Sequence, residues 1–433
     1  MFVKKILYGI IYLVEDNSLE ILTDKQKLKP MNISMLVTHA LNNVISLFVS
    51  TFLISYIYSI SSNYVQDIGL FYCFNYIAMT LFYIIISKMI DRTNRVIFYR
   101  LAIIIRGIFI IGVVFAGKQL ASYVILAGFL HGTSEAFYWT SYNLMKNELV
   151  SKHAIGKYAL FQQVDERLVN ILVPLILGKL IDAESFILAS YLILAIVVVQ
   201  MIFTFFIKSK RPAGSSFEMK EFFQETSNLG ERKKLIFWII VLGGVYGLTN
   251  VVAPLNTMLI MLSFGSNFSL GIITSVFAVG YVILLFIFKR FTSVGHRNFY
   301  YITFSILPFF ATIILMFNMN KTLLVIYMAI YTLASSLYGY GYDVVRNILL
   351  KKLNMYNSIA EYQCAIEVVM GVIRTLIFGV LALTGIICQN VGIEGFRRLV
   401  EIETAISILT LSMLNFGMIL CEKKFLKEGI IED

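Results

Sequence analysis

Charge is the scarcest resource in this chain. Lysine, arginine, aspartate and glutamate together make up 14% of its 433 residues, against about 25% in soluble domains. That shortage excludes a disordered chain and an ordinary soluble enzyme. Cysteine is scarce too: Cys73, Cys364, Cys388 and Cys421 are the only four, with no CxxC spacing, so neither a disulfide scaffold nor a cysteine zinc site is supported. The four histidines, His39, His131, His153 and His296, show no HExxH pattern, which removes the zinc hydrolases. No DxxxD occurs, so a membrane enzyme that grips metal and phosphate at its surface has no footing. Gly112 to Lys118 nearly spells a phosphate loop. Gln119 then occupies the Ser/Thr position and no strand precedes it, so nucleotide-driven transport within this chain is excluded. Only five prolines are present, which excludes the proline-rich low-complexity classes.

What remains is apolar. Hydrophobic residues account for 58% of the chain, and the mean hydropathy is +0.80. No stretch alternates apolar and polar at every second residue, so a membrane β-barrel is excluded. Runs of the length needed to cross a bilayer, about 20 residues, predict an all-α membrane protein with twelve transmembrane helices. They lie near 33–60, 67–87, 96–116, 121–145, 158–179, 186–207, 235–262, 269–288, 299–317, 322–346, 360–386 and 399–421. Basic residues crowd the loops on one side, as Lys88, Arg92, Arg95 and Arg100, Lys146, Lys152 and Lys157, Lys289, Arg290 and Arg297, and the segment from Lys208 to Lys234. By the positive-inside rule this side is cytoplasmic, with both termini on it, in a cell membrane. The net charge of +10 is therefore topological and not a nucleic-acid patch. Residues 1–14 read as an interfacial amphipathic helix rather than a cleaved leader.

The chain also repeats itself. Tyr138, Tyr142, Asn143, Lys146 and Asn147 recur without a gap as Tyr338, Tyr342, Asp343, Arg346 and Asn347. Asn43 answers to Asn250, Gly69 to Gly271 and Arg95 to Arg297, all at an offset of about 200 residues. The expected organisation is a cytoplasmic segment 1–32, a six-helix half 33–207, a cytoplasmic linker 208–234, a second pseudo-symmetric six-helix half 235–422 and a tail 423–433. Parallel repeats of this kind place a substrate site between the halves at mid-depth.

At this point the sequence resembles the major facilitator superfamily over essentially its whole length. The family's loop motif between the second and third spans, Gly-x-Leu-Ala-Asp-Arg-x-Gly-Arg-Arg, is matched by Asp91, Arg92 and Arg95 in Ser87 to Val96. The resemblance implies that Asp91, Arg92 and Arg95, with Arg297 in the second half, form a cytoplasmic gating network; Ser293 stands where a second aspartate would. Gly128 and His131 replace the Arg and Gln that the family's proton antiporters carry in the fourth span. Pro174 and Gly178 retain half of the antiporter motif of the fifth span.

A polar group at membrane depth is costly, so each one is a functional candidate. Arg106 lies in the third span. His131 and Glu135 share a face of the fourth at i, i+4. Gln163, Glu166 and Asn170 form a stripe on the fifth, and Glu367 and Arg374 occupy the matching positions of the eleventh. Glu135 beside His131 reads either as a proton or cation site or as a structural ion pair with Arg106. Glu166, Glu367 and Arg374 read as substrate, gating or structural charges, and Asn43 and Asn250 as packing amides or cavity groups. Trp139 and Tyr338 offer aromatic walls for an amphipathic or cationic solute. The expected function is a monomeric, ion-coupled secondary transporter, driven by protons or sodium and without other cofactor, that exports small amphipathic compounds through the lipid bilayer. Nutrient uptake and a non-transporting scaffold or sensor are the alternatives.

Overall fold

The computed structural model describes residues 30–90, 93–150, 154–208, 217–224, 229–291, 320–334, 359–388 and 392–427, with isolated residues between 306 and 313. The described residues are helical throughout, with no strand among them. In chain order the long helices are α1 Pro30–Ile60, α2 Tyr64–Ile90, α3 Arg95–Ala116, α4 Val124–Leu149, α5 Ile155–Ala183, α6 Phe186–Thr204, α7 Leu229–Phe264, α8 Asn267–Phe291, α9 Lys321–Ala334, α10 Ile359–Ile387 and α11 Gly392–Lys427. Seven described segments are long and apolar enough to cross a membrane. Of the expected runs, 299–317 lies almost wholly outside the described residues, and 322–346 is described only as far as Ala334. Residues 1–14 also lie outside them.

Local sequence sets the helix ends. Asn94 caps α3 by accepting a hydrogen bond from the Val96 N–H, and Ser185 caps α6 by accepting from Leu188. Between α7 and α8 the chain turns through Gly265 at φ 67°, a left-handed conformation that glycine adopts without a Cβ clash. One turn of α1, Phe48–Leu53, widens to a π-helix. Bulky apolar side chains such as Leu81, Ile85, Ile104, Ile108, Leu126, Ile176 and Leu188 point outward and exposed. In water such a surface would aggregate; in a bilayer it is solvated by lipid.

Because lipid tails are as apolar as leucine, packing between helices depends on close approach. Gly128 and Gly132 of α4 sit directly on the backbone of Phe71 and Asn75 in α2, where any Cβ would collide with a carbonyl. The same device joins the two halves of the chain. Gly69 of α2 lies on the backbone of Ala382 in α10, and Gly271 of α8 lies on that of Pro174 in α5. These two glycines are partners in the sequence repeat. The two seams, α2 on α10 and α5 on α8, are thus built from equivalent residues. The Arg167 guanidinium extends the second seam, 4.0 Å from the centre of the Tyr281 ring.

At the far end of that seam, beyond the apolar stretch of α5, Asp182 caps α8 from the other half. Its carboxylate accepts hydrogen bonds from the Phe268 N–H at 2.8 Å, the Asn267 amide at 2.9 Å, the Ser266 hydroxyl at 2.9 Å and the Asn267 N–H at 3.2 Å. Partial burial works to raise this acid's pKa. The four donors outweigh it and hold the carboxyl below its ordinary range. A depressed folded-state pKa stabilises above the unfolded value, near 3.9, and that stability is lost as pH falls through the folded one. Asp182→Ala should therefore cost about 1 kcal/mol at neutral pH, read as a lower melting temperature of the purified protein. The deficit should hold from pH 8 to about pH 5 and shrink below about pH 4. A deficit that persists unchanged at pH 3, or none at pH 7, would show that the cap does not bind the halves.

Candidate functional site

A cavity of about 820 Å³ is walled by α1, α2, α4 and α5 and, from later in the chain, by α7 and α10. Its volume suits one small organic solute. Its polar lining includes His39, Asn43, Asn75, His131, Glu135, Trp139, Asn143, Lys146, Glu166, Asn170, Asn250, Gln363, Glu367 and Arg374, with Tyr72, Tyr76, Tyr83, Tyr246 and Tyr362 between them.

The wall is anchored by a buried ion pair. Arg106 of α3 is fully buried and donates to Oε1 of Glu135 at 2.5 Å. It also donates to the side-chain carbonyl of Asn42 in α1, and its guanidinium lies 5.1 Å from the centre of the Tyr138 ring. The indole N–H of Trp139 donates to the other carboxylate oxygen of Glu135 at 2.8 Å, one helical turn along α4. Both oxygens of Glu135 are therefore held, and it lines the cavity with Arg106 behind it. Of the two readings of Glu135, the ion pair with Arg106 is the geometry found. Arg106 itself is not among the cavity-lining residues and lies behind Glu135.

His131 sits one turn below Glu135. Its Nδ1 lies 2.8 Å from the Asn75 side-chain carbonyl, and its Nε2 lies 3.8 Å from Glu135 Oε1. Phe71 and Phe109 enclose the ring. In the second half, Glu367 and Arg374 pair at 3.1 Å along α10, and the Arg374 guanidinium sits 5.0 Å from the centre of the Tyr76 ring of α2. Asn43 donates to Asp165 of α5 at 3.1 Å, so it ties α1 to α5 while also lining the cavity. Of the α5 stripe, Glu166 and Asn170 line the cavity and Gln163 does not. Asn250 lines it from α7.

Several wall residues escaped the sequence reading. His39 is buried, lies 2.9 Å from the Tyr138 hydroxyl and stacks on Tyr142 at 4.6 Å. Tyr72, Asn75, Tyr76, Met79 and Tyr83 make one face of α2 at spacings of three and four residues, the signal that could have found them. Of the expected gating residues, Asp91, Arg92 and Arg297 lie outside the described residues, as does Tyr338. Arg95 is described: it donates to the Leu144 carbonyl at 3.2 Å and pairs with Glu148 at 3.2 Å, both at the end of α4.

Comparison with known proteins places this geometry. The model of the Major Facilitator Superfamily matches residues 31–375. The uncharacterized protein YqgE of Bacillus subtilis is 22% identical over 151 residues, which is 34% of this chain and 35% of that one. The match therefore spans about a third of that relative's length. Two solved structures share the fold. The nucleoside transporter NupG gives a TM-score of 0.60 at 14% identity over 90% of this chain and 99% of that one. The human organic anion transporter MFSD10 gives 0.55 at 13% identity over 90% and 100%.

Removing one partner of a buried pair leaves an uncompensated charge, at a cost of about 3–5 kcal/mol. Arg106→Gln should lower stability by about that amount, measured by thermal unfolding of the purified protein. Adding Glu135→Gln to it should restore most of the loss. A double variant no more stable than Arg106→Gln alone would mean that the two charges do not act as a pair.

Proposed function

The chain belongs to the Major Facilitator Superfamily, and we propose that this membrane transporter moves a small amphipathic organic solute by alternating access, with the Arg106, Glu135 and His131 cluster coupling the movement to protons. The observation that carries this reading is the placement of the cluster. The buried Arg106–Glu135 pair meets the cavity at Glu135, beside the lining residues His131 and Trp139. A proton arriving on Glu135 or His131 alters a low-dielectric charge balance at the spot where solute binds. The two seams of equivalent residues support a rocking motion of one six-helix half against the other. Both termini are proposed to be cytoplasmic, on the strength of the basic loops. Asp91, Arg92, Arg95 and Arg297 are proposed as the cytoplasmic gate, with Arg95 held on the end of α4.

Export is favoured by the retained antiporter residues of α5. Pro174 and Gly178 both lie on the seam with α8, where Gly178 rests on the Asn267 carbonyl. Uptake is the second reading. NupG, described as a nucleoside transporter, shows that this fold can carry a small organic solute and says nothing of direction.

Flux into proteoliposomes tests the proposal, with labelled adenosine and ethidium as solutes. The wild-type protein should accumulate at least one of them when a pH gradient is imposed. The Arg106→Gln/Glu135→Gln double variant, neutral at both positions, should still exchange solute across the membrane at equal pH. It should lose gradient-driven accumulation by about 10-fold or more, the scale of 1.4 kcal/mol of coupling. Full gradient-driven accumulation by the double variant would sink the coupling role, and no flux of either solute by the wild type would count against the transport reading for this solute range.

A further inference from the structure

Asp165, Glu166 and Arg167 are three consecutive charged residues of α5. Successive residues of a helix point about 100° apart, so their side chains take three directions. Asp165 accepts a hydrogen bond from the Asn43 side chain of α1 at 3.1 Å. Arg167 lies over the Tyr281 ring of α8, 4.0 Å from its centre. Glu166, between them, lines the cavity and is exposed.

The other charges on the wall are engaged. Glu135 accepts from Arg106 and Trp139, and Glu367 pairs with Arg374. Lys146 donates to Gln162 at 3.3 Å, one turn of α5 before Glu166. Among the described residues, no hydrogen bond or ion pair holds Glu166. Its basic neighbour in the chain, Arg167, is committed to Tyr281. A carboxylate at membrane depth is costly unless something neutralises it. This one is reached from the cavity, so the cavity's occupant can supply the charge. A bare metal ion takes several oxygen ligands at once, and among the described residues no group of three or more carboxylates, imidazoles and thiols stands together to hold one. The wall offers instead the neutral amides of Asn170, one turn along α5, and Asn250 of α7, with the rings of Trp139, Tyr246 and Tyr362. Aromatic faces attract a diffuse cation. The protein holds two of its own guanidinium groups this way, Arg167 on Tyr281 and Arg374 on Tyr76.

We infer that the cavity receives a singly charged organic cation, with Glu166 as its counter-ion and the aromatic residues of the wall against its apolar body. The volume of about 820 Å³ leaves room for such a body. An anion of the same shape is repelled by the same carboxylate. Glu166 is therefore a specificity-determining residue: it selects the sign of the solute's charge and leaves proton chemistry to Glu135 and His131. This inference rests on the transport reading above and sharpens its substrate from amphipathic to cationic.

Isothermal titration of the purified full chain tests it with three compounds of related shape: tetraphenylphosphonium as the cation, tetraphenylborate as the anion and triphenylphosphine oxide as the neutral body. Tetraphenylphosphonium should bind saturably and more tightly than the other two. Glu166→Gln keeps the size of the side chain and removes its charge. It should weaken tetraphenylphosphonium about five-fold and leave triphenylphosphine oxide unaffected. The melting temperature of the free variant should be unchanged, because no internal partner is lost. Glu166→Asp keeps the charge and should keep the preference for cation over anion. Tighter binding of tetraphenylborate or triphenylphosphine oxide would overturn the assignment, as would the absence of saturable tetraphenylphosphonium binding at millimolar concentration. Unaltered tetraphenylphosphonium affinity in Glu166→Gln would do the same. So would a lowered melting temperature of that variant with equal loss of all three compounds, since that is the mark of a structural role. Tetraphenylphosphonium binding that depends on Glu166, without flux of ethidium or adenosine in proteoliposomes, would leave the cation site standing and strike the transport reading instead. Accumulation of adenosine without tetraphenylphosphonium binding would do the reverse.

Discussion

The cost of a charge in low dielectric governs this molecule. A lone ion buried in protein surrounded by lipid forfeits several kcal/mol of hydration that only a partner can return. The chain meets that constraint in a particular way: each buried pair closes within one half. Arg106 and Glu135 bridge α3 and α4, and Glu367 and Arg374 lie on α10. Neither pair spans a seam. Two bodies that exchange partners across a seam can therefore move without stripping a buried charge of its counter-ion. Polar groups also cross: Asp182 caps α8 at an exposed helix end where water can replace what is lost, the buried Ser55 hydroxyl of α1 donates to the Asn267 side chain of α8, and the buried Arg374 of α10 lies over the Tyr76 ring of α2.

The seams themselves obey the same logic. Gly69 on Ala382 and Gly271 on Pro174 give close backbone contact through dispersion and little else. Such contacts are collectively strong but carry no single indispensable bond. Helices joined by them can slide or tilt at a cost spread over many atoms. Among α1 to α6, α4 rests on α2 through Gly128 and Gly132 in the same way, and buried hydrogen bonds add to such contacts. Tyr99 donates to Thr38 at 2.9 Å, Gln200 donates to the Thr38 carbonyl at 3.0 Å, and Tyr142 and Tyr158 bond hydroxyl to hydroxyl at 3.0 Å. These bonds tie α1 to α3 and α6, and α4 to α5, and the Arg106–Glu135 pair joins α3 to α4.

Much of this was legible in the sequence, because composition and periodicity carry it. Apolar length placed the described helices, and Gly69 and Gly271, matched in the repeat, each rest on another helix's backbone, Gly69 on Ala382 of α10 and Gly271 on Pro174 of α5. Gly128 and Gly132 are spaced as a GxxxG pair, a sequence sign of close helix packing, and the pair rests on α2. Glu135 and His131 were found because a charge in an apolar run stands out. Neutral groups did not stand out. Tyr72, Asn75 and Tyr76 look like packing residues in any apolar helix, and only the neighbours supplied by α4 and α10 make them a wall. Arg106 was placed at the site because its charge was visible; its position behind Glu135 depends on a rotation about α3 that no local pattern encodes. The π turn at Phe48–Leu53, beside cavity residues Val49 and Ser50, had no signature of its own.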